Sequence, residues 1–182
     1  GMGGHAAGEV ASELMVNHLE ILDQDPGQED TAALLEAAAE QANEAISDHV
    51  KAHPETEGMG TTLSTMLFNG RDFGVCHVGD SRGYLLRDGK LEQITKDDTY
   101  VQSLVDKGEL DPGDVSSHPQ KSLILKAYTG RPVEATLFTL DAKPGDRILL
   151  CSDGLSDPVT ASTIETALGQ GSIEQAGSAL VD

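Results

Sequence analysis

Two aspartates, Asp80 and Asp153, have the residue type and setting that best suit chemistry. Each follows a short apolar run of the kind that forms a buried strand, and each has a glycine on one side and a serine on the other. Carboxylates that meet at one end of a sheet repel each other unless they are protonated or share a cation. All-oxygen donors favour Mg²⁺, Mn²⁺ or Ca²⁺ over Zn²⁺. The stretch around Asp153, taken alone, favours a simple cap on the following helix or turn, with a cation ligand as the alternative.

The other reactive side chains show no comparable pattern. None of the six histidines stands at a ligand-like spacing from another, so none is predicted to bind a metal. Cys76 and Cys151 each lie inside an apolar run without an evident basic environment. This setting indicates reduced core residues rather than nucleophiles or a disulfide, and it favours a cytoplasmic protein. The glycine-rich opening lacks the lysine and hydroxyl residue of a phosphate-binding loop.

The charge of the chain restricts its partners. The 182 residues suffice for one domain, and 31 acidic against 12 basic residues leave a formal net charge of -19. A field of that sign argues against nucleic acid and anionic membranes as partners. It would also repel a phosphorylated substrate unless bound cations reverse the local sign. No apolar run approaches the roughly 20 residues of a membrane-spanning helix.

Two helices are predicted before the strands begin. The first follows an amphipathic pattern from Ala7 to Leu22 and is expected to stop at Asp25-Pro26-Gly27. The second carries an alanine-rich apolar stripe from Leu34 to Ile46, which suits close packing on a sheet, and is expected to end at His53-Pro54.

The strand pattern predicts an α+β fold. Short strands joined by tight turns are expected over 61–68, 73–78, 84–86 and 91–94 as one antiparallel meander. An excursion over 98–122 follows, then strands over 133–140 and 148–152, and finally short helices around 164–168 and 173–181. Because helices and strands do not alternate, a layered sandwich fits better than a parallel doubly wound sheet.

Four motifs together carry a resemblance to a known family. They read GMGGHAAGEVAS, GMGTTLSTMLF, CHVGDSRGYLL and LLCSDGLSD, and in this order they resemble the bacterial branch of the PPM family. Members of this family are type-2C metal-dependent Ser/Thr protein phosphatases. Two further stretches, TKDDTYVQSLVDKGEL and SSHPQKSLILKAYTG, resemble its actinobacterial cell-division and kinase-regulating members. The resemblance covers residues 1–182 and implies an antiparallel β-sandwich flanked by helices in αββα layers.

The resemblance also implies a site. It implies two or three Mn²⁺ or Mg²⁺ ions and a bridging water that attacks phosphorus in line. By matching motif, Asp153 becomes a catalytic ligand of the second metal, shared with a third, and Asp80 a ligand of the third. Gly1 would offer its backbone carbonyl to the first metal, Ser122 would approach the third, and 98–122 would form the flap that shapes substrate access. For Asp153 the resemblance therefore reverses the preference for a cap.

Departures from the family motif keep alternatives open. The family has a metal-bridging Asp directly before the residue matching Gly1, and a final Asp-Asn motif expected beyond Asp182, so the domain is expected to be incomplete at both termini. Met2 stands where the eukaryotic branch has a histidine proposed as general acid. This chain by itself is therefore expected to show little phosphatase activity.

The function expected from the resemblance is hydrolysis of phosphoserine and phosphothreonine in phosphorylated proteins, including Ser/Thr kinases. The alternatives are a non-catalytic pseudophosphatase or binding module, and a phosphatase of anti-sigma-factor regulators. Uncovered strand edges would favour an oligomer. A full-length form with a membrane anchor outside this chain stays open.

Overall fold

The computed structural model describes residues 1–23 and 30–182. The predicted helix stop at Asp25-Pro26-Gly27 lies outside these residues. The helices are α1 (His5–Glu20), α2 (Thr31–Ala52), α3 (Tyr100–Asp106), α4 (Asp153–Ser156), α5 (Ala161–Leu168) and α6 (Ile173–Val181). The strands are β1 (Leu63–Phe68), β2 (Asp72–Val78), β3 (Arg82–Arg87), β4 (Lys90–Gln93), β5 (Thr136–Asp141) and β6 (Arg147–Cys151). In the described part of the chain, no helix is long and apolar enough to cross a membrane.

The first helical layer packs on one sheet through small residues. Helix α1 packs against α2, and α2 covers β1 and β2. The approach is close because a β carbon at Gly74 would overlap the backbone of Thr31 and Ala32 at the start of α2. Twelve buried residues form the core of this layer: Ala11, Met15, Leu35, Ala39, Ala42, Ile46, Met59, Leu63, Leu67, Cys76, Val78 and Tyr128. The predicted alanine-rich stripe is thus confirmed as the sheet-facing side of α2.

The strands form two antiparallel sheets, ordered β1-β2-β5 and β4-β3-β6. The predicted single meander is wrong, because β2 and β3 lie in different sheets and the chain crosses between them at Gly79–Ser81. The physical reason is burial on both faces. Five successive residues from Gly74 to Val78 are buried, as are four from Gly83 to Leu86. A sheet with one solvated face would show alternation instead.

A second helical layer covers the other sheet, which confirms the predicted layered α+β sandwich. Helix α5 packs on β4, and α6 packs on α5. The Glu165 carboxylate accepts a hydrogen bond from the backbone N–H of Leu91 at 2.9 Å. The Arg147 guanidinium on β6 donates to the carbonyls of Leu168 and Gln170 at 2.9 and 3.1 Å. These bonds attach the carboxyl-terminal helices to the sheet whose strand β6 leads to Asp153.

Candidate metal centre

Strand pairing brings the two predicted aspartates to the same end of one sheet. Strand β3 pairs with β6 in a register that places Arg82 opposite Cys151. Asp80 stands two residues before Arg82, and Asp153 two residues after Cys151. Because the strands are antiparallel, the chain enters β3 and leaves β6 at a common edge. The convergence predicted from the sequence therefore follows from the register.

The pKa of Asp80 reflects the nearby acidic groups. Burial raises the pKa of the Asp80 carboxyl above its ordinary value, and the charges of Asp153, Asp97 and Asp157 raise it further. A hydrogen bond to the backbone of Asp80 itself opposes the rise. Crowded acidic groups of this kind favour either a proton or a cation among them.

The turn that carries Asp80 is held tightly. The Gly79 N–H donates to Asp98 Oδ2 at 2.8 Å, and the Asp98 N–H donates back to the Gly79 carbonyl at 2.9 Å. Gly79 has φ +105°, and a β carbon there would overlap the side chain of Thr62. Only glycine suits both the backbone conformation and the contact. Asp80 is consequently presented from a rigid crossing between the two sheets.

Arg82 and Asp97 form a two-pronged ion pair beside this turn. Arg82 Nε donates to Asp97 Oδ1 at 2.9 Å and a terminal nitrogen donates to Oδ2 at 2.6 Å, while the other terminal nitrogen reaches the Tyr84 hydroxyl at 3.2 Å. The hydrogen bonds that Arg82 donates to the Asp97 carboxylate raise the pKa of the Arg82 guanidinium. Both side chains are largely buried, with 26% and 12% of their surfaces exposed. This pairing holds the Asp97 carboxylate against Arg82 beside the turn.

A cleft of about 260 Å³ lies between this turn and the excursion. Asp80, Arg82 and Asp97 line one side, and Ser116, Lys121 and Ser122 line the other. The structure therefore brings the predicted Ser122 to the same cavity as Asp80.

Two backbone bonds tie the ends of the excursion together. The Tyr100 N–H donates to the Leu123 carbonyl at 3.0 Å, and the Leu125 N–H donates to the Asp98 carbonyl at 2.8 Å. Within it lie α3 and a 3₁₀ helix over Pro112–Ser117. Closed ends and internal helices make the excursion a compact loop over the cleft.

Asp153 is placed differently from Asp80. It is the first residue of the four-residue helix α4 and is exposed, and the side chain of the preceding Ser152 makes no capping hydrogen bond. Backbone bonds within the segment hold it, such as the one from the Asp157 N–H to the Asp153 carbonyl at 2.9 Å. An acidic residue in the first turn of a helix suits the helix dipole. The helix-start and metal-ligand interpretations of Asp153 are thus compatible.

Gly1 lies in a separate depression at the start of α1. The depression has a volume of about 510 Å³ and is lined by Gly1, Gly4, His5, Gly8, Glu9 and Ser12. Gly1 packs so closely on the Gly8 backbone that a β carbon at either position would overlap the other. Met2 pairs with Gly60 through two backbone bonds of 2.7 and 3.1 Å. Asp80 and Ser122 share a cleft that Gly1 does not line.

The side chains present fit part of a hard-cation site. Across 1–23 and 30–182, no three His, Cys, Asp or Glu side chains group closely enough to hold a metal ion. The aspartate pair and the Ser122 hydroxyl are oxygen donors, which suit Mg²⁺ or Mn²⁺, and such ions retain several waters as ligands. The mutual repulsion at Asp80 is the observation that a cation would relieve.

Sequence reasoning missed the residues that support this turn. Arg82 lies in the CHVGDSRGYLL motif without a predicted role, Asp98 is only the first residue of the predicted 98–122 excursion, and Asp97 has no predicted role. No local signal marks these carboxylates, because Asp97 comes four residues after the end of β4 and 15 residues after Arg82. Their separation from the turn by 15 to 19 residues hides the pairing until the fold is known.

Comparisons with known proteins show which family this chain is similar to. The family model described as protein phosphatase 2C matches residues 1–174. The serine/threonine protein phosphatase PstP of Mycobacterium tuberculosis is 58% identical over 168 residues, which are 92% of this chain and 33% of that protein. The serine/threonine phosphatase stp of Listeria innocua is 36% identical over 177 residues, covering 92% of this chain and 69% of that protein. This chain thus spans about a third of the length of PstP.

Solved structures of PstP have the same fold. The M. tuberculosis PstP crystal structure superposes with a TM-score of 0.96 at 54% identity, covering 99% of this chain and 77% of that one. The PstP catalytic domain in complex with two manganese ions superposes with a TM-score of 0.92 at 52% identity, covering 99% and 76%.

Proposed function

Since this chain belongs to the protein phosphatase 2C family, we propose that it is part of an enzyme that hydrolyses phosphoserine and phosphothreonine in proteins. The observation that carries the proposal is the convergence of Asp80 and Asp153 beside a cleft of about 260 Å³. Residues 1–182 would form a large part of the catalytic domain, with 98–122 as its flap. The relatives named above are Ser/Thr phosphatases, which supports this choice of substrate.

The proposed metal ligands are oxygen donors. Asp153 and Asp80 would hold Mn²⁺ or Mg²⁺ as two or three ions, with the Ser122 hydroxyl and the Gly1 carbonyl as further donors. The two manganese ions of the related PstP domain support this choice of cation. The chemistry supplied by such ions when bound is a water of lowered pKa and neutralisation of phosphoryl charge.

The protein's own residues have separate tasks in this proposal. The Arg82–Asp97 pair and the Asp98 carboxylate hold the turn so that Asp80 faces the cleft. Lys121 brings an ammonium group to the opposite wall, where it would attract a phosphorylated side chain into a strongly acidic protein. The compact loop over 98–122 limits which phosphopeptides enter.

Partners and location are proposed more broadly. Phosphorylated proteins, among them Ser/Thr kinases, are the proposed substrates, and the free thiols of Cys76 and Cys151 support a reducing, cytoplasmic setting. Strands β5 and β6 each pair with a single neighbour in the described chain, and Leu137 and Leu150 are 37% and 42% exposed. Association of copies through these edges is the proposed route to an oligomer.

The test is Mn²⁺-dependent phosphate release from a phosphothreonine peptide. It compares this chain with the full product of its gene, each as wild type, Asp153→Ala, Asp80→Ala and Asp48→Ala. Asp48 is an exposed aspartate on α2 and controls for charge. In the full product we expect Asp153→Ala to lower the rate by more than about a hundredfold. Asp80→Ala should weaken one class of Mn²⁺ site in calorimetry while the others stay occupied, and Asp48→Ala should match wild type.

A pseudophosphatase or binding module is the second candidate. It is favoured by the observation that, within the described residues, no three metal-ligating side chains group together. Mn²⁺ and phosphopeptide binding without turnover by the full gene product would establish it and overturn the enzyme. Equal rates for Asp153→Ala and wild type would show instead that the proposed ligand is wrong.

A further inference from the structure

His77 is a fully buried polar side chain that the proposed chemistry does not use. It lies near the end of β2, with 0% of its surface exposed. Its Nδ1 atom is 2.8 Å from the Ser64 hydroxyl on β1, and its Nε2 atom is 2.9 Å from the Lys96 carbonyl. A buried imidazole with both nitrogens engaged joins two segments that are 32 residues apart in the chain. An apolar side chain would fill the same space without this connection.

The partners determine which nitrogen carries the proton. A carbonyl only accepts, so His77 Nε2 donates to Lys96. In the neutral ring Nδ1 then accepts, and the Ser64 hydroxyl donates to it. The Ser64 oxygen is in turn 3.0 Å from the Ser81 hydroxyl, which can donate to it. The Ser64 hydroxyl also lies 3.1 Å from the Ser81 carbonyl, so a chain of hydrogen bonds links Ser81 through Ser64 and His77 to Lys96.

The two ends of this chain are the two parts of the candidate site. Ser81 directly follows Asp80 in the turn between the sheets. Lys96 directly precedes the Asp97 and Asp98 carboxylates that hold that turn and begin the excursion. Asp98 Oδ2 also lies 4.0 Å from His77 Nε2. The imidazole therefore stands between the turn that presents Asp80 and the base of the loop that covers the cleft.

We infer that His77 and Ser64 are positioning residues that couple the Asp80 turn to the base of the 98–122 loop. The inference rests on the proposed function for its catalytic consequence, but the coupling itself is a property of the folded chain. The Ser64 bond serves the turn, and the Lys96 bond serves the loop base. Loss of one bond should disturb its own side of the site first.

Two substitutions of His77 separate the two bonds. The amide oxygen of Asn stands where Nδ1 stood, so His77→Asn retains an acceptor for Ser64 and loses the Lys96 bond. The longer Gln places an N–H near the position of Nε2, so His77→Gln retains a donor for Lys96 and loses the Ser64 bond. Ser64→Ala removes the bond to His77 together with the contacts of the Ser64 hydroxyl to the Ser81 carbonyl and hydroxyl, and it leaves the Lys96 bond intact. His49→Gln, on α2, is the matched control at a histidine that stacks on His53.

The experiment measures amide hydrogen exchange without metal or substrate, Mn²⁺ affinity by calorimetry, and kcat and KM with a phosphopeptide, all on the full gene product. For His77→Gln and Ser64→Ala we expect about tenfold faster exchange at Gly79–Arg82 and about tenfold weaker Mn²⁺ binding at one class of site. For His77→Asn we expect faster exchange over 96–99 and a raised KM, with Mn²⁺ binding near wild type. His49→Gln should change none of these.

The outcomes separate this inference from the proposed function. Amide hydrogen exchange in the metal-free protein measures the coupling between the Asp80 turn and the loop base even if no phosphate ester is hydrolysed. Identical exchange and Mn²⁺ changes in His77→Asn and His77→Gln would reduce His77 to a packing residue and overturn the inference, as would wild-type behaviour of Ser64→Ala. If either histidine variant fails to fold, Ser64→Ala and its exchange pattern decide, because that change removes a single hydroxyl.

Discussion

The two aspartate-bearing segments of the candidate site are built in opposite ways. The Asp80 turn, Gly79–Arg82, is anchored by bonds to residues far along the chain, including Asp98 and Asp97. The Asp153 segment, Ser152–Asp157, is held by backbone bonds within itself and is largely exposed. Both segments follow short buried or half-buried strands and both have a Gly and a Ser beside the aspartate.

This difference determines how much charge repulsion each carboxylate experiences. A charged group in a half-buried, long-range framework cannot move away from its neighbours, so repulsion accumulates there, as the raised pKa of Asp80 indicates. An exposed carboxylate on a short helix is screened by water and can adjust. The free energy of unfolding and the position of the carboxylate should therefore depend strongly on the first segment and weakly on the second.

The largest expected effect is at Gly79. Gly79→Ala forces an L residue to φ +105° and drives a β carbon into Thr62, so we expect a loss of about 3 kcal/mol in the free energy of unfolding. Urea unfolding measures it. Gly70→Ala is the control, because Gly70 has φ +95° but open space around its β position. Equal losses for the two variants would mean that the contact with Thr62 does not contribute to the free energy of unfolding.

The next effect concerns the ion pair beside the turn. Asp97→Asn leaves the largely buried Arg82 guanidinium without a countercharge, and we expect a loss of about 2 kcal/mol, measured by urea unfolding. The control is Asp106→Asn, because Asp106 pairs with Lys96 at 3.0 Å on the surface and such pairs contribute little. A loss at Asp106 as large as that at Asp97 would contradict the importance given to burial.

Part of this comparison is readable from the sequence, and part is not. The alternation of apolar runs with Gly-Asp-Ser and Ser-Asp-Gly predicts both aspartates at strand ends, and the structure confirms that placement. A Gly-Asp-Ser turn between two apolar runs is compatible with a hairpin and with a crossing between sheets. For this reason the sequence predicts a meander at Gly79–Ser81. The uninterrupted burial of β2 and β3 is the signal that favours the crossing.

The supporting residues were beyond sequence reasoning for a physical reason. The partners of His77 are a hydroxyl 13 residues away and a backbone carbonyl 19 residues away, and a carbonyl carries no residue-specific signal. Asp98 likewise bonds to the backbone of Gly79. Partners of this kind become visible only when the register of the strands is known.

A smaller effect of opposite sign is expected at Asp80 itself. Because burial and neighbouring carboxylates raise the folded-state pKa of Asp80, its charge destabilises the metal-free fold above that pKa, and protonation relieves the penalty as the pH falls through it. Asp80→Asn should raise the metal-free Tm by about 2 °C at neutral pH and remove this part of the pH dependence. Calorimetric melts from pH 7 to pH 4 measure both. Asp153→Asn removes its share of the repulsion but none of the burial penalty at Asp80, so it should raise the metal-free Tm by less, and a rise equal to that of Asp80→Asn would contradict the contrast between the segments.

The smallest expected effect is at Gly154, the counterpart of Gly79 in the Asp153 segment. Gly154 is the second residue of α4, and the nearest atom to a β carbon there would be Ser152 Oγ at 3.5 Å, an ordinary contact. Alanine restricts the unfolded chain and favours helix, so Gly154→Ala should stabilise the fold by about 0.5 kcal/mol. Urea unfolding beside Gly79→Ala measures the contrast directly. A loss of stability at Gly154 would mean that the Asp153 segment is as tightly constrained as the Asp80 turn, and the two carboxylates would then have to be regarded as equally rigid.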